Sequence, residues 1–259
     1  MALFEATRYI KHFFTAKSLK GHGVHSPFVF ELVTEVFPES TDSNFPEIEQ
    51  LRKKLLSDKR TILINDLGAG SKKLSSTKRS ISSIVRHSAK SAKTGRLLHR
   101  VGNYLKPAHI LELGTSLGLT TAYLAKTGTP VTTIEGCDNI ANEARSNFDR
   151  LKLTNIYQVT GNFDNELPVV LEAYPECNFI FVDGNHTYDA TLRYYYTIRD
   201  RVAAPLVIIF DDIYWSKGMS RAWKEIVSDS GNQVTIDLFH LGLVFFKPDQ
   251  EKEHFSIRI

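Results

Sequence analysis

Only two cysteines, Cys137 and Cys177, occur among 259 residues, too few for a disulfide framework or for a metal cluster built on paired cysteines. That scarcity fits a reducing cytoplasm, the expected location. No apolar run approaches the roughly 20 residues that a membrane-spanning helix requires. The N-terminus sets Glu5, Arg8 and Lys11 among Phe4, Ile10, Phe13 and Phe14, which reads as a short amphipathic helix rather than a signal peptide. A soluble protein with no membrane partner is expected. Residues 71–100 contain no Asp or Glu against nine Lys and Arg, so the formal net charge of +3 hides a local basic segment in an otherwise acidic chain. Internal repeats and low-complexity linkers are lacking. At 42% hydrophobic and 24% charged, the composition is that of a globular protein long enough to bury a sizeable core.

Residues 1–60 read as helices broken at Gly21–Pro27 and at Pro38–Pro46, with Ile48, Leu51, Leu55 and Leu56 on one helical face. Residues 62–70 could form an isolated strand and turn. Residues 71–93, rich in Ser and Lys, read as a lid, although Ile81, Ile84 and Val85 at helical spacing argue for partial order. From residue 106 short β-branched runs alternate with amphipathic stretches, the pattern of βαβ units. Strands are expected at 108–113, 131–135, 155–159, 179–183 and 206–211, with helices at 117–126, 140–151, 166–173, 187–201 and 217–229. The runs 234–239 and 243–247 stand too close together for a crossover helix and should form an antiparallel hairpin. Residues 1–94 are thus read as a helical cap carrying the basic segment, and 95–259 as the domain bearing the site.

The sharpest local pattern is the run from Ile110 to Thr120, ILELGTSLGLT, a strand passing through a small-residue turn into a helix. Glycines let a ligand approach the backbone, and a helix N-terminus presents free N–H groups. The next strand ends at Glu135, where a carboxylate can accept both hydroxyls of a ribose. Glu112, beside the loop, would repel the pyrophosphate of a dinucleotide but can pair with the ammonium of a methionine moiety. Charge therefore favours S-adenosylmethionine over NAD. The run Gly114-Thr115-Ser116-Leu117-Gly118 also matches a hydrolase nucleophile elbow, with Asp211 or Asp212 and then His240 in triad order, yet that fold places several strands before the elbow and at most one is found here. Asp66-Leu67-Gly68-Ala69-Gly70 lacks the following apolar helix and reads as a turn in the cap.

In order and spacing, LELGTSLGLTTAYLA, TIEGCDNIANEAR, GNFDNELP, FVDGNHTY and FDDIYWSKGM resemble the motifs of small-molecule O-methyltransferases related to the catechol and caffeoyl-coenzyme A enzymes, over about residues 95–250. The resemblance implies a Rossmann-like, seven-stranded, mostly parallel sheet with a C-terminal antiparallel hairpin, preceded here by a helical N-terminal cap of unusual form. It implies S-adenosylmethionine held by Glu112, Gly114, Thr115, Ser116 and Gly118 at the methionine end, Glu135 and Gly136 at the ribose, and Asn162 with Phe163 at the adenine, Asp183 lying beside the cofactor. It also implies a cation site, Mg²⁺ or a similar divalent ion, at Asp183, Asp211 and Asp212, with Asp212 standing where the metal-dependent members carry asparagine. His186 occupies a place where those members often carry a general-base lysine, so His186 and Asp183 are the candidate catalytic pair. The alternative for these carboxylates is structural, Asp212 capping a helix and Asp183 bonding to the cofactor loop.

Tyr214 and Trp215 could wall an acceptor pocket. The loop from Gly21 to Phe28, GHGVHSPF, reads first as a helix start pinned to the core and second as a cover over the acceptor. The acceptor itself leaves little mark, because methyl transfer depends mainly on placement. A small molecule is expected, and the basic segment suggests an acidic or phosphorylated one. The same segment leaves RNA as a second, less favoured acceptor, since no aromatic residues are interleaved for base stacking. A non-catalytic nucleotide-binding module is the reading from another class. Related enzymes are often dimers, which makes a homodimer one expectation.

Overall fold

The computed structural model describes residues 2–64 and 78–259. By compactness the chain forms two units, one of residues up to Pro38 together with Leu171–Ile259, the other Glu39–Val170.

The first unit begins with helix α1 (Ala2–Thr15), the short strand β1 (Lys17–Ser18) and helix α2 (Pro27–Glu31). Ser26 caps α2 through the N–H of Val29, and Pro27 opens it, the position where a missing N–H does no harm. Phe28 then packs edge-on against Phe245 at 5.1 Å. A side chain on Gly21, held at φ +71°, would strike Phe30 at 2.5 Å. The histidine-bearing loop therefore starts a helix and pins it, the first of the two expected readings.

The second unit carries α3 (Pro46–Ser57), β2 (Thr61–Leu63), β3 (Lys78–Ser80), α4 (Ile81–Ser88) and α5 (Ala92–Leu105) ahead of its β/α series. Ile48, Leu51 and Leu55 of α3 are buried with Ile81, Ile84 and Val85 of α4 in one cluster. Helical spacing thus orders residues 81–88: one face, with Ile81, Ile84 and Val85, is core, while Arg86, His87 and Ser88 are exposed. β2 is not isolated either, since it pairs antiparallel with β3. The Asp66–Gly70 turn and residues 71–77 of the expected lid lie outside the described residues. The series continues as β4 (His109–Leu113), α6 (Leu119–Ala125), β5 (Val131–Glu135), α7 (Asp138–Arg150), β6 (Ile156–Thr160) and α8 (Phe163–Ala173). β4, β5 and β6 lie side by side in parallel. All five residues of β4 are buried, as expected where both faces of a parallel strand are covered.

The chain then returns to the first unit with β7 (Cys177–Val182), α9 (Tyr188–Arg199), β8 (Leu206–Asp211), α10 (Lys217–Ser228), β9 (Val234–Asp237), β10 (Leu241–Phe246) and β11 (Glu253–Arg258). β7 and β8 are parallel, and β10 runs antiparallel to both β8 and β9. The expected hairpin is present. Its first arm stops at Asp237 because the Asp237 carboxylate accepts the N–H of Phe239, which turns at φ +71°. Beyond the seven expected strands, β11 adds parallel to β9, and β1 parallel to β11. The architecture is α/β, mostly parallel, with antiparallel strands at its C-terminal end.

Candidate cofactor loop and carboxylate cluster

In the second unit the loop after β4 is shaped by three left-handed residues, Gly114 at φ +104°, Ser116 at φ +48° and Gly118 at φ +78°. Glycine is needed at 118 for a second reason: a Cβ there would meet the Phe148 ring at 2.3 Å. Ser116 adopts the same region with a side chain, which costs energy and marks a position held by its surroundings. Its hydroxyl is buried without a hydrogen-bond partner among the described residues.

What holds the loop is a line of side chains. Glu112 is wholly buried and accepts hydrogen bonds from the hydroxyls of Thr121 at 2.5 Å and Thr133 at 2.7 Å. A hydroxyl has one proton, so Thr133, having given its own to the carboxylate, accepts from Thr115 at 2.6 Å. The carboxylate at the end of β4 is thereby tied to the loop, to β5 and to α6. Thr115 belongs to the sequence-derived site; Thr121 and Thr133 are absent from it.

Glu135, at the end of β5, accepts the backbone N–H of Ser116 at 2.8 Å on one oxygen and that of Cys137 at 3.0 Å on the other. Gly136 follows it, half-buried. Beyond β6, Gly161 donates to the Glu135 carbonyl, and the Asn162 side-chain oxygen accepts the N–H of Asp164 as α8 begins at Phe163. Glu112, Gly114, Thr115, Ser116, Gly118, Glu135, Gly136, Asn162 and Phe163 thus gather around the C-terminal ends of three adjacent parallel strands.

In the first unit Asp183 follows β7 and Asp211 ends its neighbour β8. Asp183, Asp211 and His186 each offer a ligand atom, all within 4.8 Å of one another, and His186 Nε2 stands 3.5 Å from the Asp183 carboxylate. Asp212 stands outside this group of three, its backbone turned to φ +53° and its carbonyl accepting from Trp215. The arrangement can hold a divalent cation through two hard oxygens and one imidazole.

Tyr214 does not present a bare ring. Its hydroxyl donates to Asp237, and burial together with that carboxylate pushes its pKa well above the usual tyrosine range. His12 of α1 lies 3.5 Å from the same carboxylate and 3.2 Å from the Ile257 carbonyl. Sequence reading could not find this buried group, because His12 and Asp237 are 225 residues apart and of types common in any fold.

Residues 111–213 match the family model described as a methyltransferase domain. The protein-L-isoaspartate O-methyltransferase of Pelotomaculum thermopropionicum is 32% identical over 152 residues, 56% of this chain; the chain spans 58% of that relative's length. Among solved structures, the O-methyltransferase from Bacillus cereus in complex with SAH is similar at a TM-score of 0.55 and 18% identity, over 84% of this chain and 96% of that one. The O-methyltransferase TomG of Streptomyces achromogenes, in complex with SAM, is similar at 0.54 and 17%, over 85% and 95%. Motif order and the match to the methyltransferase-domain model over residues 111–213 agree, and the solved structures share the Rossmann-like α/β fold.

Proposed function

We propose that the chain transfers a methyl group from S-adenosylmethionine to an oxygen of a small-molecule acceptor, through a methyltransferase part at residues 95–259 behind the cap at 1–94. The observation that carries this reading is Glu135, clamped by two backbone N–H groups at the end of its strand. A carboxylate fixed in this way at a strand end suits the two hydroxyls of a ribose. The loop fits the same cofactor: no side chain obstructs it at Gly114 or Gly118, and the buried Ser116 hydroxyl lacks a partner. Glu112 and Thr115 position the methionine end, Gly136 borders the ribose, and Asn162 with Phe163 borders the adenine.

When bound, S-adenosylmethionine supplies an electrophilic methyl on a sulfonium. The chain's own task is placement, which removes much of the entropic barrier. Asp183 and Asp211 would hold Mg²⁺ or a similar cation, with His186 as the third ligand in place of Asp212, or His186 would accept the proton of the acceptor hydroxyl with Asp183 orienting its ring. The two roles exclude each other at one nitrogen. Turnover lost in EDTA and restored by Mg²⁺ supports the ligand role; turnover indifferent to EDTA but lost in His186→Gln supports the base.

An RNA acceptor has less support. Within the basic segment, Arg96 is spent on Glu49 at 2.6 Å and Glu39 at 3.1 Å, and Arg100 donates to Ser43. Isothermal titration with S-adenosylmethionine tests the core of the reading. Glu135→Ala should weaken binding tenfold or more, about 1.4 kcal/mol, and NAD should not bind. A preference for NAD, or unchanged affinity in the variant, would overturn it.

A further inference from the structure

Helix α10 presents Lys217, Ser220, Arg221 and Lys224 at spacings of three, four and seven residues, which is one face of a helix. For the helix alone the arrangement is unfavourable. Like charges three and four residues apart repel, and a cation in the first turn opposes the macrodipole, while no acidic residue stands there to offset it. With Phe4 and Arg8 of α1 this face lines a cleft of about 260 Å³, whose lining holds no carboxylate among the described residues. Arg8 lies over the rings of Phe4 and Tyr214, at 5.5 and 5.7 Å, and Arg221 over Tyr188 at 3.7 Å, so the two guanidiniums are oriented by aromatic faces. Glu225, the acid of the same helix, is occupied by the hydroxyls of Tyr188 and Tyr196.

Ser220, 3% exposed, lines the same cleft, and its hydroxyl is buried with no hydrogen-bond partner. A buried hydroxyl left without a hydrogen bond is destabilising. Four cations and one unpartnered donor converge where stability would favour neither.

We infer that this cleft is an anion site that takes the phosphate group of a phosphate monoester. A dianion with three terminal oxygens matches two guanidiniums, two ammonium groups and a hydroxyl. At about 260 Å³ the cleft lies below the roughly 300–1,000 Å³ of sites that enclose a whole small ligand, so it holds a head group while the remainder lies outside. Phe4 supplies an apolar wall for the carbon next to the ester oxygen. Tyr214, whose ring Arg8 covers, lies three residues beyond Asp211, and a five-residue connection separates Asp211 from α10. The phosphate is thus bound beside the loop that leaves the carboxylate cluster, as a handle for the acceptor. Phosphate binding does not depend on methyl transfer; the handle role rests on the methyltransferase reading.

Calorimetric titration of the whole chain at low ionic strength, with inorganic phosphate and with phenyl phosphate, tests the site. Saturable binding of one equivalent is expected, tighter for phenyl phosphate. The exposed double variant Arg221→Gln/Lys224→Gln should weaken both tenfold or more, Ser220→Ala several-fold, and Lys59→Gln, an exposed cation remote in sequence, not at all. Non-saturable binding, an unaffected double variant, or an equal loss in Lys59→Gln would overturn the site. Phenyl phosphate binding no tighter than phosphate would overturn the monoester and leave a site for the free ion. Phosphate binding that survives a failure to bind S-adenosylmethionine would separate this site from the reading of the enzyme.

Discussion

At the scale of single residues, the candidate site divides into positions that backbone geometry dictates and positions that only pairing reveals. Gly118 belongs to the first kind: its positive φ and its approach to Phe148 exclude any side chain. Gly118→Ala is expected to destabilise the chain by about 1–3 kcal/mol through overpacking and backbone strain, measured as a lower urea midpoint, and to reduce S-adenosylmethionine affinity. A stability equal to the parent would show that Phe148 moves aside at little cost. Such constraints are written in residue type, which is why the glycines, Glu112 and Glu135 were legible. Thr133 is of the second kind, since a threonine in a strand is ordinary until the register sets it opposite Glu112. Thr133→Val keeps the shape but removes the donor, and a loss of about 1–3 kcal/mol is expected from the less well-satisfied buried carboxylate. That His186 rather than Asp212 lies within 4.8 Å of Asp183 and Asp211 has a related reason. The turn at Asp212 is left-handed, and sequence spacing does not carry that rotation.

At the scale of elements, α3 and α4 form because their apolar residues recur at helical spacing and meet in one cluster. Ile81→Ala, at a position with no exposure, should cost about 2–5 kcal/mol, readable by thermal denaturation. The same spacing shows why composition misled at 81–93: Ser and Lys dominate the count, while three apolar residues determine the packing. β11 was overlooked although its alternation is plain, with Phe255 and Ile257 buried between half-exposed or exposed neighbours. β1, two residues long, offers no period to detect. Helix α5 carries a pH dependence. Burial holds the His99 pKa below the ordinary histidine value, so the folded chain keeps the neutral ring. The unfolded chain takes up a proton near pH 6.5, and between that value and the lower folded pKa it binds more protons than the folded state. Stability must therefore fall as pH falls below about 6.5. The melting temperature of the parent should drop more steeply between pH 7 and pH 5 than that of His99→Gln; parallel slopes would assign the acid sensitivity to other groups.

At the scale of the whole molecule, no helix among the described residues is long and apolar enough to cross a membrane. If S-adenosylmethionine binds only the folded chain, a concentration of one hundred times its Kd should add about 2.7 kcal/mol, raising the melting temperature by a few degrees; no rise would place binding on an unfolded or partly folded form. The sequence by itself determined the β/α order, the antiparallel end and the glycine loop with its two flanking carboxylates, because periodicity, turn chemistry and left-handed backbone are local and leave their mark in residue type. Tertiary structure alone decided which hydroxyls satisfy Glu112, which imidazole joins Asp183 and Asp211, and which cations share a cleft with Ser220. Those are meetings between elements far apart along the chain, and each is set by register and packing rather than by the residues' own propensities.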